Sequence, residues 1–173
     1  MPTGTTASQS KQSRTKARST KTAAKQQDAI ALLMEDHREV EKLFKQFQKA
    51  KNDGDSKGDI VEQICNALSV HAEIEEEIFY PACRDALAEK GEDMLDEAEV
   101  EHASIKSLVE QLKDADPDDE LYSAKVKVLC EYVTHHVKEE EGEMFPKVKK
   151  AKLDLEILGE EIMERKTELM GEQ

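Results

Sequence analysis

Two eleven-residue stretches of this chain repeat histidine, glutamate, phenylalanine and proline in the same frame. HAEIEEEIFYP runs from His71 to Pro81, and HVKEEEGEMFP runs from His136 to Pro146. In each stretch a glutamate follows the histidine by four residues, so on a helix both side chains face the same way. Each proline removes a helix hydrogen bond, and the helix is expected to kink or end there. Imidazole with carboxylate suits iron, manganese or zinc, which predicts a transition-metal site.

A second pair of histidines has the same spacing. The interval from His71 to His136, here called the repeat interval, also separates His37 from His102, so four of the five histidines belong to two copies of one pattern. A buried carboxylate is costly unless it is paired or coordinated, and a cation offsets that cost. The pattern contains no thiolate and exceeds the four ligands of a structural zinc site, which favours two metal ions. The predicted metal ligands are His37, His71, Glu75, His102, His136 and Glu140.

The sequence around these residues predicts four long amphipathic helices. Apolar residues recur every three or four positions, and the four histidines lie within the apolar stripes. Turn-forming residues at 52–54, 90–91 and 114–119 separate the helices by short connections. The repeat predicts two similar helical hairpins with the four histidines at one level. The predicted fold class is all-α: an up-down-up-down antiparallel four-helix bundle with a short C-terminal helix at 153–171.

Charge divides the chain into two predicted parts. Residues 1–27 contain six lysines and arginines and no acidic residue, whereas all 39 acidic residues lie in residues 28–173. We predict a disordered basic arm for residues 1–27 and a helical-bundle domain for residues 28–173. A solubilising extension, a polyanion-binding tail and an organelle transit peptide remain open readings of the arm. Nucleic acid is expected to bind only through this arm, because the remainder is acidic.

Composition also bears on location. No apolar run approaches the roughly 20 residues of a membrane span, and no apolar stretch near the start resembles a secretory signal. The three cysteines, Cys65, Cys83 and Cys130, lack C-x-x-C spacing and favour a reducing compartment. We therefore expect a cytoplasmic protein with no membrane partner.

Other acidic residues compete for the ligand role. His135 and Glu139 also form an H-x-x-x-E pair, but this pair does not match the repeat interval and points about 100° away. We interpret it as a pair that neighbours or supports the ligands. Glu41 follows His37 by four residues and stays open as a minor alternative. The remaining acids of the motifs are expected to face solvent or support the ligands: Glu76, Glu77 and Glu141.

The order and spacing of these residues resemble the hemerythrin-like HHE cation-binding domain. The resemblance rests on the four histidines, the two H-x-x-x-E pairs and the trailing EEEIFYP and EGEMFP, and it covers about residues 28–150. It implies two iron ions joined by an oxo or hydroxo bridge, with Glu75 and Glu140 bridging and the histidines as terminal ligands. Manganese or zinc is the alternative to iron.

The resemblance also implies a range of functions, which include O2 binding and responses to oxygen, nitric oxide, peroxide or iron. Oxygen-carrying hemerythrins have another histidine one turn after the third-helix ligand, where this chain has Lys106. Without that histidine each iron would keep an open coordination position, which makes stable, reversible O2 carriage less secure. We predict a non-haem di-iron protein that binds, senses or reacts with O2, peroxide or nitric oxide in oxidative or nitrosative stress. The alternatives are a di-iron enzyme with catalase, peroxidase or NO-reducing activity, and an iron-responsive interaction module acting through the basic arm.

Overall fold

Seven α-helices follow one another in the computed structural model, which describes residues 27–50 and 54–171. Residues 1–26, nearly all of the predicted basic arm, lie outside the described residues, and the domain boundary remains a prediction. The helices are α1 (Ala29–Lys49), α2 (Gly54–Ile74), α3 (Tyr80–Leu87), α4 (Glu92–Lys113), α5 (Tyr122–Glu139), α6 (Phe145–Val148) and α7 (Leu155–Gly171).

The long helices form a four-membered ring. α1 packs against α2 and α5, and α4 packs against the same two helices. Because the connections between consecutive long helices are short, neighbouring helices run antiparallel. The predicted all-α, up-down-up-down bundle with a further C-terminal helix is confirmed. Within the described residues, none of the helices combines the length and the apolar character needed to cross a membrane.

The C-terminal helix α7 lies against α1 and α2. Its buried residues Leu158, Ile162 and Leu169 join the apolar cluster formed by the start of α1 and the end of α2. Gly159 allows a close approach, since a Cβ there would lie 2.6 Å from the backbone oxygen of Gln27. A larger residue would push α7 away from α1 and expose this part of the core.

Each H-x-x-x-E motif leads into one widened helical turn. Residues Glu75–Phe79 and Glu140–Met144 are π-helical, and the N–H of the next residue, Tyr80 or Phe145, bonds to the carbonyl five residues earlier. Such turns inside α-helices are rare and frequently occur at functional sites. The two π turns join α2 to α3 and α5 to α6 and carry the predicted glutamate ligands at their first positions.

The two prolines explain where the widened turns lie. Pro81 and Pro146 occupy the first turn of α3 and α6, directly after the π turns. A proline has no N–H to give to the carbonyl four residues earlier, so the regular ladder is interrupted at this point. The sequence predicts that each helix kinks or ends at its proline; the helices do not end there, because a π turn accommodates the missing bond and helical structure continues beyond it.

A layer of polar side chains separates the core into two apolar clusters. One cluster lies beneath α7 and includes Leu33 of α1, whereas the other includes Val40 of the same helix. His37 stands between these two residues in the sequence and is itself buried. α2 and α4 likewise contribute residues to both clusters, and beyond His136 of α5 the cluster beneath α7 resumes in the second π turn and α6. The bundle therefore supports the polar layer from above and below.

Candidate metal centre

Six side chains converge in this polar layer, and they are the six that the sequence singles out as metal ligands. The histidines come from the four long helices, and the glutamates come from the first residue of each π turn. Their exposed fractions range from 0% to 6%. The residues are His37, His71, Glu75, His102, His136 and Glu140.

The first group of candidate ligand atoms comes from α1, α2 and the two π turns. His37 Nε2 lies 3.2 Å from His71 Nε2 and 3.2 Å from Glu140 Oε2. His71 Nε2 in turn lies 3.2 Å from Glu75 Oε2. These four residues each offer one ligand atom, and those atoms lie within 4.8 Å of one another.

The second group comes from α4 and α5 and shares Glu75 with the first. His102 Nε2 lies 3.0 Å from His136 Nε2 and 3.4 Å from Glu75 Oε2. Glu140 also reaches this side, since its Oε2 is 3.5 Å from His136 Nε2. The two carboxylates therefore lie between two pairs of imidazoles.

Carboxylates outside the layer fix the orientation of three imidazoles. Each accepts a hydrogen bond from the Nδ1 atom. A neutral imidazole has a single N–H, so a proton held at Nδ1 leaves Nε2 as a bare acceptor that faces the centre. The pairs are His37 with Glu141 at 2.9 Å, His102 with Glu76 at 3.0 Å, and His136 with Glu101 at 2.7 Å.

The fourth imidazole has a looser partner of the same kind. His71 Nδ1 lies 3.6 Å from Asp36 Oδ2, which is beyond hydrogen-bond distance. The repeat interval relates Asp36 to Glu101 and Glu76 to Glu141. Neither Asp36 nor Glu101 was singled out from the sequence. The repeat interval would have identified both, had it been applied to the acidic residues as well as to the histidines.

The centre is rich in acceptors and poor in donors. The facing Nε2 atoms of His102 and His136 would repel each other with nothing between them. Glu75 Oε1, Glu140 Oε2 and His71 Nδ1 are buried without a hydrogen-bond partner. Burying such atoms is unfavourable unless a cation or proton satisfies them. Nitrogen and carboxylate donors without sulfur fit a transition-metal ion, so the residues present suit the metal that the sequence predicts.

The buried carboxylates and imidazoles influence one another's protonation. Burial raises the pKa of Glu75, and the nearby charge of Glu140 raises it further. Burial also acts to raise the pKa of Glu140, but the nearby imidazole of His37 and the neighbouring histidines outweigh that effect and lower it. Burial acts to lower the pKa of His37, yet Glu140 raises it to about 9. The metal-free centre therefore holds protons that a metal ion would displace.

Tyr80 is a residue of the polar layer that sequence reasoning missed. Its hydroxyl lies 2.9 Å from Glu140 Oε1 and 3.2 Å from His102 Nε2. In a regular α-helix Tyr80 would point roughly 140° away from Glu75, and the wider π turn reduces this angle. The sequence does contain a signal that Tyr80 differs from its counterpart. The residue one repeat interval later is Phe145, which lacks the hydroxyl.

The competing acids lie outside the cluster. Glu41 is exposed and pairs with Lys45 at 2.6 Å, and Glu77 pairs with Arg165 at 2.7 Å. The side chain of His135 is 60% exposed and does not enter the polar layer. The minor alternative for Glu41 is therefore not supported by its position.

Lys106 stands where oxygen-carrying hemerythrins have a further histidine. Its ammonium lies 2.5 Å from Glu76 Oε2, and the other oxygen of Glu76 accepts a hydrogen bond from His102 Nδ1. Lys106 thus acts on the centre through Glu76. The hydroxyl of Tyr80, rather than a side chain at position 106, approaches the ligands.

The fold and the cluster together define an all-α bundle with a buried site for cations. Residues 28–148 match the family model of the hemerythrin HHE cation binding domain, and the chain belongs to this family. The resemblance inferred from the sequence is confirmed.

One curated relative and one solved structure are similar to this chain. A DNA nickase of Nostoc sp. strain PCC 7120 is 33% identical over 123 residues, which are 71% of this chain and 33% of the relative. The chain therefore spans about a third of the length of the curated relative it matches. A crystal structure of a hemerythrin HHE cation binding domain-containing protein from Mycobacterium kansasii has a TM-score of 0.72 at 22% identity, with 84% of this chain and 89% of that chain covered. At this identity the match shows the fold.

Proposed function

We propose that this protein binds two transition-metal ions, foremost iron, and uses them to bind, sense or react with O2, peroxide or nitric oxide. The observation that carries the proposal is the convergence of four imidazole Nε2 atoms on two buried carboxylates, with one oxygen of each carboxylate lacking a hydrogen-bond partner. When bound, the metal pair supplies Lewis-acid and redox chemistry. The proposed ligands are His37, His71, Glu75, His102, His136 and Glu140.

Glu75 and Glu140 are assigned as the shared ligands. Glu75 Oε2 is 3.2 Å from His71 and 3.4 Å from His102, which belong to different groups. Glu140 Oε2 is 3.2 Å from His37 and 3.5 Å from His136 in the same way. A carboxylate that reaches both groups can hold two ions together, whereas each histidine serves one ion.

Tyr80 is assigned as a further oxygen ligand on the side of His102 and His136. Its hydroxyl lies within 3.2 Å and 3.5 Å of the two Nε2 atoms. The ligands predicted from the sequence leave one open coordination position on each iron. The Tyr80 oxygen would fill one of these two positions. The ion on the side of His37 and His71 would then keep the open position, so the two ions would differ in reactivity.

The surroundings of the proposed metal centre favour a small ligand. A small cavity beside the four histidines has apolar walls that include Val40, Leu68 and Ile105. A surface groove between α1 and α5 reaches His37. Apolar walls do not bind charged substrates, whereas small uncharged molecules such as O2, nitric oxide or hydrogen peroxide can occupy such a space.

Iron reconstitution of the full chain tests this function. We expect two irons per chain and near-ultraviolet absorption bands that respond to O2, azide, peroxide or nitric oxide. Turnover of peroxide beyond stoichiometric amounts would identify an enzyme rather than a binding or sensing protein. A chain that holds two irons but shows no spectral response to any of these molecules would contradict the proposed reactions with O2, peroxide and nitric oxide. The proposal that the chain binds metal would still stand.

Replacing a shared carboxylate tests the ligand assignment itself. Glu75→Ala is expected to lower the iron content from two per chain to one or none, because Glu75 contacts histidines of both groups. Glu77→Ala is the matched control, since Glu77 lies on the same π turn but pairs with Arg165 at the surface. Two irons retained in Glu75→Ala would refute the assignment.

Association with DNA is a second candidate function. Two observations favour it: the similarity to a DNA nickase and the six basic residues without an acid in residues 1–27. The acidic remainder of the chain repels phosphate, so binding would depend on that segment. Salt-sensitive binding of duplex DNA that disappears on deletion of residues 1–27 would support this candidate. Binding that survives the deletion would exclude the arm as its cause.

A further inference from the structure

Three side chains outside the polar layer form another cluster of ligand atoms, on the surface of α4 and α5. His135 Nε2 lies 3.4 Å from Glu101 Oε1 and 3.3 Å from Glu139 Oε1. All three atoms lie within 4.8 Å of one another. A tetrahedral ion with bonds of about 2.1 Å separates its ligands by about 3.4 Å. The two distances from His135 Nε2 therefore match the ligand separation of a metal site.

The two carboxylates of this cluster lack a permanent cation. Among the described residues, Glu101 and Glu139 form ion pairs with histidines alone. The counterpart of Glu101 in the first hairpin is Asp36, whose carboxylate pairs with the ammonium of Lys166 from α7. Glu101 of the second hairpin has no such ammonium beside it among the described residues. Its negative charge is therefore available to a cation from solution.

The cluster is also open to solvent, unlike its counterpart. The residues one repeat interval before His135 and Glu139 are Val70 and Ile74, which are 6% and 0% exposed and belong to the apolar cluster beneath α7. The side chains of His135 and Glu139 are 60% and 36% exposed. An ion bound here could therefore exchange directly with the solution, whereas the six residues of the buried centre are at most 6% exposed.

Glu101 connects the surface cluster to the buried centre, and each of its two oxygens faces a different histidine. Its Oε2 accepts the hydrogen bond from His136 Nδ1 at 2.7 Å, and its Oε1 faces His135. We propose that Glu101, His135 and Glu139 bind a third divalent cation, of the zinc or ferrous-iron class, at the surface beside the buried centre. The site rests on these three side chains and does not require the buried centre to be filled.

Zinc titration of the full chain, after iron loading, tests this proposal. We expect one zinc per chain beyond the metal of the buried centre. His135→Ala and Glu139→Gln should each remove this zinc or weaken its binding by roughly tenfold or more, with iron content unchanged. The matched control is Glu131→Gln, which removes one charge from an exposed glutamate of α5 outside the cluster. This control should bind zinc as the native chain does.

The comparison between native chain and variants separates this proposal from the proposed function. A difference of one zinc between the native chain and His135→Ala supports the surface site whatever number of ions the buried centre holds. Anomalous diffraction at the zinc edge should then place the ion at bonding distance from His135 Nε2. Equal zinc binding by both chains, an equal loss in Glu131→Gln, or loss of iron in His135→Ala would each overturn the proposal.

Discussion

The two helical hairpins of the bundle, α1 to α3 and α4 to α6, carry the same histidines and glutamates in different surroundings. Tyr80 of the first brings a hydroxyl among the proposed ligands, whereas its counterpart Phe145 stacks on His37 with ring centroids 5.9 Å apart. α7 covers the first hairpin and leaves the face of His135 exposed on the second. The repeated residues thus set where the proposed ligands lie, and the residues that break the repeat would make the two proposed ion positions chemically different.

The largest expected difference between the two positions is their dependence on pH. Glu140 raises the pKa of His37 to about 9 against the effect of burial, whereas burial lowers the pKa of His102. A metal ion must displace a proton from His37 below pH 9 but finds His102 neutral. We expect affinity for the ion at His37 to rise about tenfold per pH unit from 6.5 to 9. Competitive metal titrations across this window would measure it.

The same pKa has the opposite effect on the metal-free fold. Because the pKa of His37 is raised from 6.5 to about 9, its protonation stabilises the metal-free protein fully below pH 6.5, and this contribution is lost as the pH rises through 9. Denaturant unfolding of metal-free protein at several pH values provides the check. In the metal titrations, by contrast, two binding steps whose affinities have the same pH slope would show that the two proposed ion positions do not differ in their dependence on pH.

The second comparison concerns the hydroxyl that only the first hairpin supplies. Tyr80→Phe is expected to weaken the ion on the side of His102 and His136 by roughly tenfold or more, because one oxygen ligand is lost. A ferric centre should also lose any phenolate-to-iron absorption band in the visible range. Tyr122→Phe is the matched control, since Tyr122 is a buried tyrosine in the other apolar cluster. Identical spectra and affinities for Tyr80→Phe and native protein would exclude Tyr80 as a ligand.

The third comparison concerns the cation that only the first hairpin receives. Lys166 pairs with the buried carboxylate of Asp36, and Lys166→Met would leave that carboxylate without the ammonium. We expect the free energy of unfolding to fall by about 1–3 kcal/mol. Lys152→Met, at an exposed lysine, should change it little. Zinc binding at Glu101, His135 and Glu139 should be unaffected, and a parallel loss there would show that the two faces are coupled.

Periodicity along the chain was enough to predict the bundle and the six clustered residues. The apolar stripes at three- and four-residue spacing determine which face of each helix is buried, and the histidines lie within those stripes. The repeat interval predicts that His37, His71, His102 and His136 meet at one level, and their Nε2 atoms do lie 3.0–3.2 Å apart in pairs. These features follow from helix geometry, which is local and regular.

Departures from regular helix geometry and from the repeat required the tertiary structure. Tyr80 reaches the centre because a π turn replaces an α-helical turn before Pro81, and a single missing N–H does not reveal how the helix will compensate. Similarly, the roles of Glu101 and His135 depend on which face α7 leaves open. The sequence by itself determined the types of side chain that cluster in the polar layer and their level in the bundle. Only the packing of separate helices decided which other side chains surround them, because those contacts join residues far apart in the chain.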